Sequence, residues 1–208
     1  MSVVVAALRD LFIPPRCAGC DAPGSWLCGA CRDGCEPIKV RVGRLTVHAA
    51  GSHAGPLRDA IHRLKYRGER GIAVELGCLV AERVTVDLAL GAALDAIVPV
   101  ALHPARAATR GYDQTRLLAN AVAEGAGLPV AHAVRRIRAG SPQVRLDRTA
   151  REANLRGAFV SVVGALRGLR VALVDDVTTT GATLRAAAAA AHAAGARSVA
   201  AYVVAVDE

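Results

Sequence analysis

A chain of 208 residues with 53% hydrophobic content has room for one ordinary domain with a real core, plus a small appendage. Aromatic residues make up only 3%, so packing falls to Ala, Val and Leu, which argues against a sheet that reads RNA by stacking bases on Phe and Tyr. The net charge of +8 is carried almost wholly by arginines spread along the chain, a pattern met by a solvated surface with a site for a highly anionic small substrate, so charge alone does not establish nucleic-acid binding.

No apolar run is long enough to span a bilayer, and residues 1–8 lack the charged start and long apolar centre of a signal peptide. The expectation is a cytoplasmic protein without membrane insertion. Near the N-terminus, Cys17, Cys20, Cys28 and Cys31 form two C-x2-C pairs separated by seven residues. Two intervening residues let both thiolates of a pair reach one ion from a tight turn, and four thiolates complete a tetrahedral zinc site. Such sites are structural and supply on the order of 10 to 16 kcal/mol in small modules, enough to fold a segment with little core. Disulfides and a redox C-x-x-C are the competing readings, but neither a secretory signal nor a thioredoxin-like βαβ pattern accompanies the pairs. Cys35 is an alternative ligand or a spare buried thiol, and Cys78 reads as filling in a helix. The expected division is a zinc-binding module over 1–42 and a main domain over 43–208.

The main domain alternates helical and strand-like segments with short turns, which favours an α/β fold with a parallel sheet flanked by helices. Arg58–Tyr66 has a helical pattern carrying Lys65, with a turn at Arg67 and Gly68, and Ile72–Val84 is the next helix. Leu94–Val100 reads as a strand followed by a loop over Ala101–Gly111. Ligands of open α/β sheets bind beyond the carboxyl ends of strands, so His103, Arg106 and Arg110 lie where an anionic group would be met. Asp113–Gly125 is a helix with Leu117, Leu118, Ala121 and Val122 on one face. Arg135–Phe159 is irregular and carries seven arginines around a Gly-Ser-Pro break, as a basic hood closing over a charged substrate would.

Arg170–Leu184, RVALVDDVTTTGATL, is the richest segment. Val171–Val174 is the short apolar run of a strand buried on both faces, and Asp175 and Asp176 are expected to end it. The turn that follows, Val177, Thr178, Thr179, Thr180, Gly181, Ala182 and Thr183, offers hydroxyls and backbone N–H groups at the start of an alanine-rich helix. Unpaired N–H groups at the positive end of a helix suit a phosphate. Carboxylates beside a phosphate would repel it, so the acids must face something else. The vicinal hydroxyls of a ribose whose 5′-phosphate lies in the turn fit that requirement. The P-loop pattern is excluded because its lysine is absent. Ser198–Val206, after a turn at Gly195, makes a final strand.

DDVTTTGAT resembles the PRPP-binding motif of type I phosphoribosyltransferases. Together with the cysteine pairs, IHRLKYRGER around Lys65, DAIVPV followed by RGYDQ, and the spacing of Gln143, Arg151, Asn154 and Phe159, nearly the whole chain resembles the ComF family, whose members join a small zinc module to a phosphoribosyltransferase domain and are linked in some bacteria to DNA uptake. Two departures are Asp113, where the family usually has asparagine, and Ala101, where it has a second proline. The resemblance implies a type I phosphoribosyltransferase-like fold with structural Zn²⁺ on the four cysteines and Mg²⁺ accompanying PRPP. It further implies that Asp175 and Asp176 hold the ribose hydroxyls, that Val177–Thr183 cradle the 5′-phosphate, and that Arg106, Arg110 and Lys65 face the pyrophosphate. The alternative is a non-catalytic protein of this fold acting in DNA uptake through single-stranded DNA or a protein partner.

Overall fold

The computed structural model describes residues 14–138 and 157–207. Its main sheet has five strands in the order β1 (Ile38–Val42), β2 (Leu45–Ser52), β7 (Ser198–Val206), β6 (Arg170–Thr178) and β3 (Ala96–Pro99). β1 and β2 form an antiparallel hairpin, and every other pairing is parallel. Two further short strands, β4 (Val134–Arg136) and β5 (Phe159–Ser161), pair separately. The helices are α1 (Gly29–Asp33), α2 (Gly55–Tyr66), α3 (Ile72–Ala89), α4 (Pro104–Arg110), α5 (Gln114–Ala126) and α6 (Ala182–Ala193). None of the helices among the described residues is long and apolar enough to cross a membrane.

Strand periodicity divides the core into two layers. Ala172 and Val174 of β6, with Tyr202 and Val204 of β7, face α2, α3 and α5, whereas Val171, Leu173, Ala201 and Val203 face α6. Both faces of β6 are therefore covered, which is why its first part is an unbroken apolar run. Each large apolar side chain so buried contributes about 1.5–3 kcal/mol.

This is the expected architecture, a parallel sheet with flanking helices and a four-cysteine cluster at the N-terminus, with several local differences. The hairpin β1–β2 was not anticipated, and its first strand lies on the N-terminal side of residue 43 while closing the edge of the main sheet. β3 is shorter than Leu94–Val100, and α3 runs on to Ala89. The expected loop over Ala101–Gly111 contains the two-turn helix α4. Pro104 stands in its first turn, His103 Nδ1 accepts from Ala105 N at 3.2 Å, and Gly111 closes the helix at φ 73°.

The cysteine module is joined to the α2–α3 hairpin. A methyl at Gly19 would fall 2.7 Å from Pro56 Cβ, and one at Gly71 would fall 2.2 Å from Trp26 Nε1, so glycine permits both contacts. Arg32 of α1 reaches Glu82 at 2.6 Å and Glu75 at 3.4 Å on α3, while Arg63 of α2 lies over the Trp26 ring. Cys17 and Leu27 belong to the same core as Leu57, Ile61 and Leu64.

Candidate functional site

The acids do not end the strand: β6 continues through both to Thr178. Being adjacent in a pleated strand, they diverge to opposite faces. Asp176 follows Ala172 and Val174 toward α2 and α5 and is 5% exposed. Lys65, at the end of α2, donates to Asp176 Oδ1 at 2.6 Å, and Gln114, the first residue of α5, donates from Nε2 to Oδ2 at 3.2 Å. Asp175 accepts the Asp176 N–H on Oδ1 at 2.9 Å. Burial of its carboxyl, and then the charge of Asp176, push Asp175 up to about 8, against the opposing influence of the Asp176 N–H, Lys65 and Arg136.

These groups open onto a cavity of about 160 Å³ at the carboxyl end of the parallel strands. Of the expected residues, Asp175, Asp176, Val177, Thr183, Lys65, Arg106 and Arg110 line it together. Arg106 and Arg110 are four residues apart on α4 and so share one face. Arg110 Nη1 is buried without a hydrogen-bond partner among the described residues, and its guanidinium lies 5.5 Å from the centre of the Tyr66 ring. His103 is occupied in capping α4.

The other turn residues are placed differently. Thr178 is buried at the strand end, and its carbonyl accepts from Asp207 N. Thr179 is exposed, and Thr180 Oγ1 accepts from Ala182 N at 3.4 Å. Gly181 caps α6 at φ 67°, where a methyl would meet Val42 Cγ1 at 2.2 Å, so the β1–β2 hairpin presses on the turn. Arg185 Nη1 braces the turn through the Thr180 carbonyl.

Gln114, Thr115 and Arg136 also line the cavity and were not among the expected site residues. Gln114 stands in RGYDQ, the segment that carries part of the family resemblance. Arg136 lies at the base of the expected hood, on β4. Burial lowers its pKa, with repulsion from Arg106 added and Asp175 opposing. The rest of that hood, 139–156, with Gln143, Arg151 and Asn154, lies outside the described residues.

In the N-terminal module, the Sγ atoms of Cys17, Cys20, Cys28 and Cys31 all lie within 4.8 Å of one another. A tetrahedral ion with Zn–S bonds of about 2.3 Å needs sulfurs about 3.8 Å apart, so the cluster is close to closing on a metal. Burial opposes ionisation of Cys17, but the N–H groups of Cys28, Cys20 and Gly19 outweigh it and bring the thiol down to about 6. Burial and then the neighbouring sulfurs push Cys31 up. Cys35 is outside the set, its thiol donating to the Cys31 carbonyl at 3.3 Å. Cys78 is half-buried on α3.

No protein-family model matches the chain. The DNA utilization protein YhgH of Salmonella typhimurium is 31% identical over 187 residues, covering 88% of this chain and 79% of that protein. Competence protein F of Haemophilus influenzae is 34% identical over 142 residues, covering 64% of this chain and 61% of that protein. The chain belongs to the ComF family. Among solved structures, the glutamine phosphoribosylpyrophosphate (PRPP) amidotransferase from B. subtilis, complexed with ADP and GMP, is similar with a TM-score of 0.43 and 23% identity over 63% of this chain. The chain spans 25% of that enzyme. In this ComF protein the Asp113 departure has a local explanation: Asp113 caps α5, its Oδ1 accepting from Arg116 N at 3.1 Å. Asn and Asp serve equally at that position. Ala101, the other departure, lines the cavity.

Proposed function

We propose that this ComF-family protein binds PRPP, or a related ribose 5-phosphate ligand, together with Mg²⁺, as a phosphoribosyltransferase-family protein. One observation carries the reading: the paired acids, Val177 and Thr183 from the two ends of the Thr/Gly turn, and cations from α2 and α4 converge on one cavity at the strand ends. In this reading Asp175 and Asp176 hold the ribose hydroxyls, and the turn Thr178–Thr183 with the α6 N-terminus holds the 5′-phosphate. Arg106 and Arg110 receive the pyrophosphate, and Lys65 moves from Asp176 toward it as the ligand enters. With both Asp176 oxygens engaged, the site supplies no ready cage for Mg²⁺. The ion suits oxygens of the ligand itself, where it offsets the phosphate charge. Transfer would break the bond from C1′ to the pyrophosphate oxygen, which leaves with the electron pair, as an acceptor nucleophile bonds to C1′. The protein contributes positioning and charge stabilisation. The four cysteines hold structural Zn²⁺, for which a closed thiolate set is the suitable donor chemistry.

A second reading, a non-catalytic protein acting in DNA uptake through single-stranded DNA or a partner, draws on the names of the relatives and on Tyr66. That ring is 67% exposed beside Arg110 and 4.8 Å from the His62 ring, as a base-stacking platform would be.

Calorimetric titration with PRPP and Mg²⁺ tests the first reading. Asp175→Asn combined with Asp176→Asn should abolish binding while the circular dichroism and metal content stay unchanged, and unaltered affinity in that variant would refute the assigned roles. Pyrophosphate release with a panel of bases then separates turnover from binding. For the second reading, single-stranded DNA affinity should fall steeply as salt rises, and affinity indifferent to salt counts against it.

A further inference from the structure

We infer that Gln114 is a further ligand contact that makes the site prefer pentose 5-phosphates with both vicinal hydroxyls over their deoxy counterparts. The inference rests on the ribose 5-phosphate reading above. Gln114 is only 3% exposed and lines the same cavity as the two acids. Its Nε2 donates to Asp176 Oδ2. A carboxylate accepts hydrogen bonds and does not donate them, so this partner dictates which way the amide faces: turned over, Oε1 would confront Oδ2 at 3.2 Å, two acceptors repelling one another.

With Nε2 held in this way, Oε1 is buried and has no hydrogen-bond partner among the described residues. The nearby cations do not satisfy it. Lys65 donates to Asp176 Oδ1, and Arg110 Nη1 is itself without a partner. A buried amide oxygen left in this state has lost its water without replacement, so it favours any ligand that brings a donor.

Phosphate and pyrophosphate oxygens are acceptors and cannot serve. Hydroxyl groups can. Both oxygens of Asp176 are engaged, and Asp175 Oδ1 accepts the Asp176 N–H. Among the described residues, the oxygens of these groups without a hydrogen-bond partner are Gln114 Oε1 and Asp175 Oδ2, the latter an acceptor once its carboxyl is ionised, and Asp176 Oδ1 joins them when Lys65 moves to the pyrophosphate. Acceptors from the acids on one side and Gln114 on the other match the two hydroxyls of a vicinal diol. A sugar lacking the hydroxyl that meets Gln114 leaves its buried oxygen unpaired, the condition under which a site discriminates strongly against an analogue, and a sugar lacking the other hydroxyl forfeits the bond to the acids.

Ribose 5-phosphate, 2-deoxyribose 5-phosphate and 3-deoxyribose 5-phosphate, titrated calorimetrically into wild type and Gln114→Met, provide the test. Wild type should bind each deoxy sugar weaker by on the order of tenfold. Gln114→Met should lose most of the preference against one of them while still binding ribose 5-phosphate. Preferences unchanged against both sugars overturn the inference, and failure of wild type to bind ribose 5-phosphate sinks the underlying reading instead. A second measurement does not depend on the variant folding. The Gln114 side-chain amide resonance of wild type, assigned by selective labelling, should shift on saturation with ribose 5-phosphate and shift less with the deoxy sugar that lacks the contact. A resonance that stays in place through saturation overturns the inference equally.

Discussion

Asp175 and Asp176 are adjacent in sequence and differ in nearly every physical respect. Asp176 stands between an ammonium and an amide, whereas Asp175 is pushed up to about 8, first by burial and then by its neighbour. An unfolded aspartate titrates near about 4. Between roughly pH 4 and pH 8 the folded protein therefore keeps a proton that the unfolded chain has released, so this group's contribution to stability is full below the unfolded pKa and lost as pH rises through the folded one. Asp175→Asn, which cannot ionise, should gain in melting temperature relative to wild type as pH is raised from 5 to 9. A difference between the two proteins that is flat across this range would contradict the assignment. Residue types in DDVTTTGAT carry the proposed chemistry, but the difference between the two acids comes from the side chains around them.

At the scale of elements, α4 and the start of α5 show how a short polar stretch before an amphipathic helix delivers residues to the candidate site. His103 and Asp113 each supply the acceptor that a helix start lacks, and Gly111 allows the chain to turn between them. Asp113→Ala should cost about 1 kcal/mol in urea denaturation, and Asp113→Asn should cost close to nothing. Equal losses in both variants would mean that charge rather than capping is what matters there. The helix α4 was not legible because seven residues are too few for a clear apolar period, and none of its residues is buried. The hairpin β1–β2 escaped notice for a different reason: Ile38, Val40 and Val42 alternate strictly with Lys39 and Arg41 as a strand should, but the module boundary expected at residue 42 separated β1 from its partner β2.

Over the whole molecule, the cysteine module and the cavity share the α2–α3 hairpin. Cys17 and Leu27 enter the core beside Leu64, next to Lys65, and Trp26 rests against Gly71 just beyond that helix. Trp26 is the chain's single tryptophan, so its emission reports on this junction. Removing the proposed zinc with a chelator should release the module and shift that emission to the red, because metal binding supplies much of the folding free energy of so small a unit. Emission that stays unchanged while metal analysis shows complete loss would mean that the module holds together by packing alone.

From its sequence alone, this protein could be assigned to a parallel α/β class and its four cysteines to one cluster, and its DDVTTTGAT segment could be read as suited to a sugar phosphate. Each of these depends on local spacing or periodicity: two residues between cysteines, an unbroken apolar run, hydroxyls before a helix. Tertiary structure alone decided that Lys65, 111 positions from Asp176, pairs with it, that Gln114 lines the same cavity with its side-chain oxygen buried and without a partner among the described residues, and that Arg136 lines it. Contacts between residues so far apart are set by how helices pack across the sheet, and no periodicity along the chain encodes them.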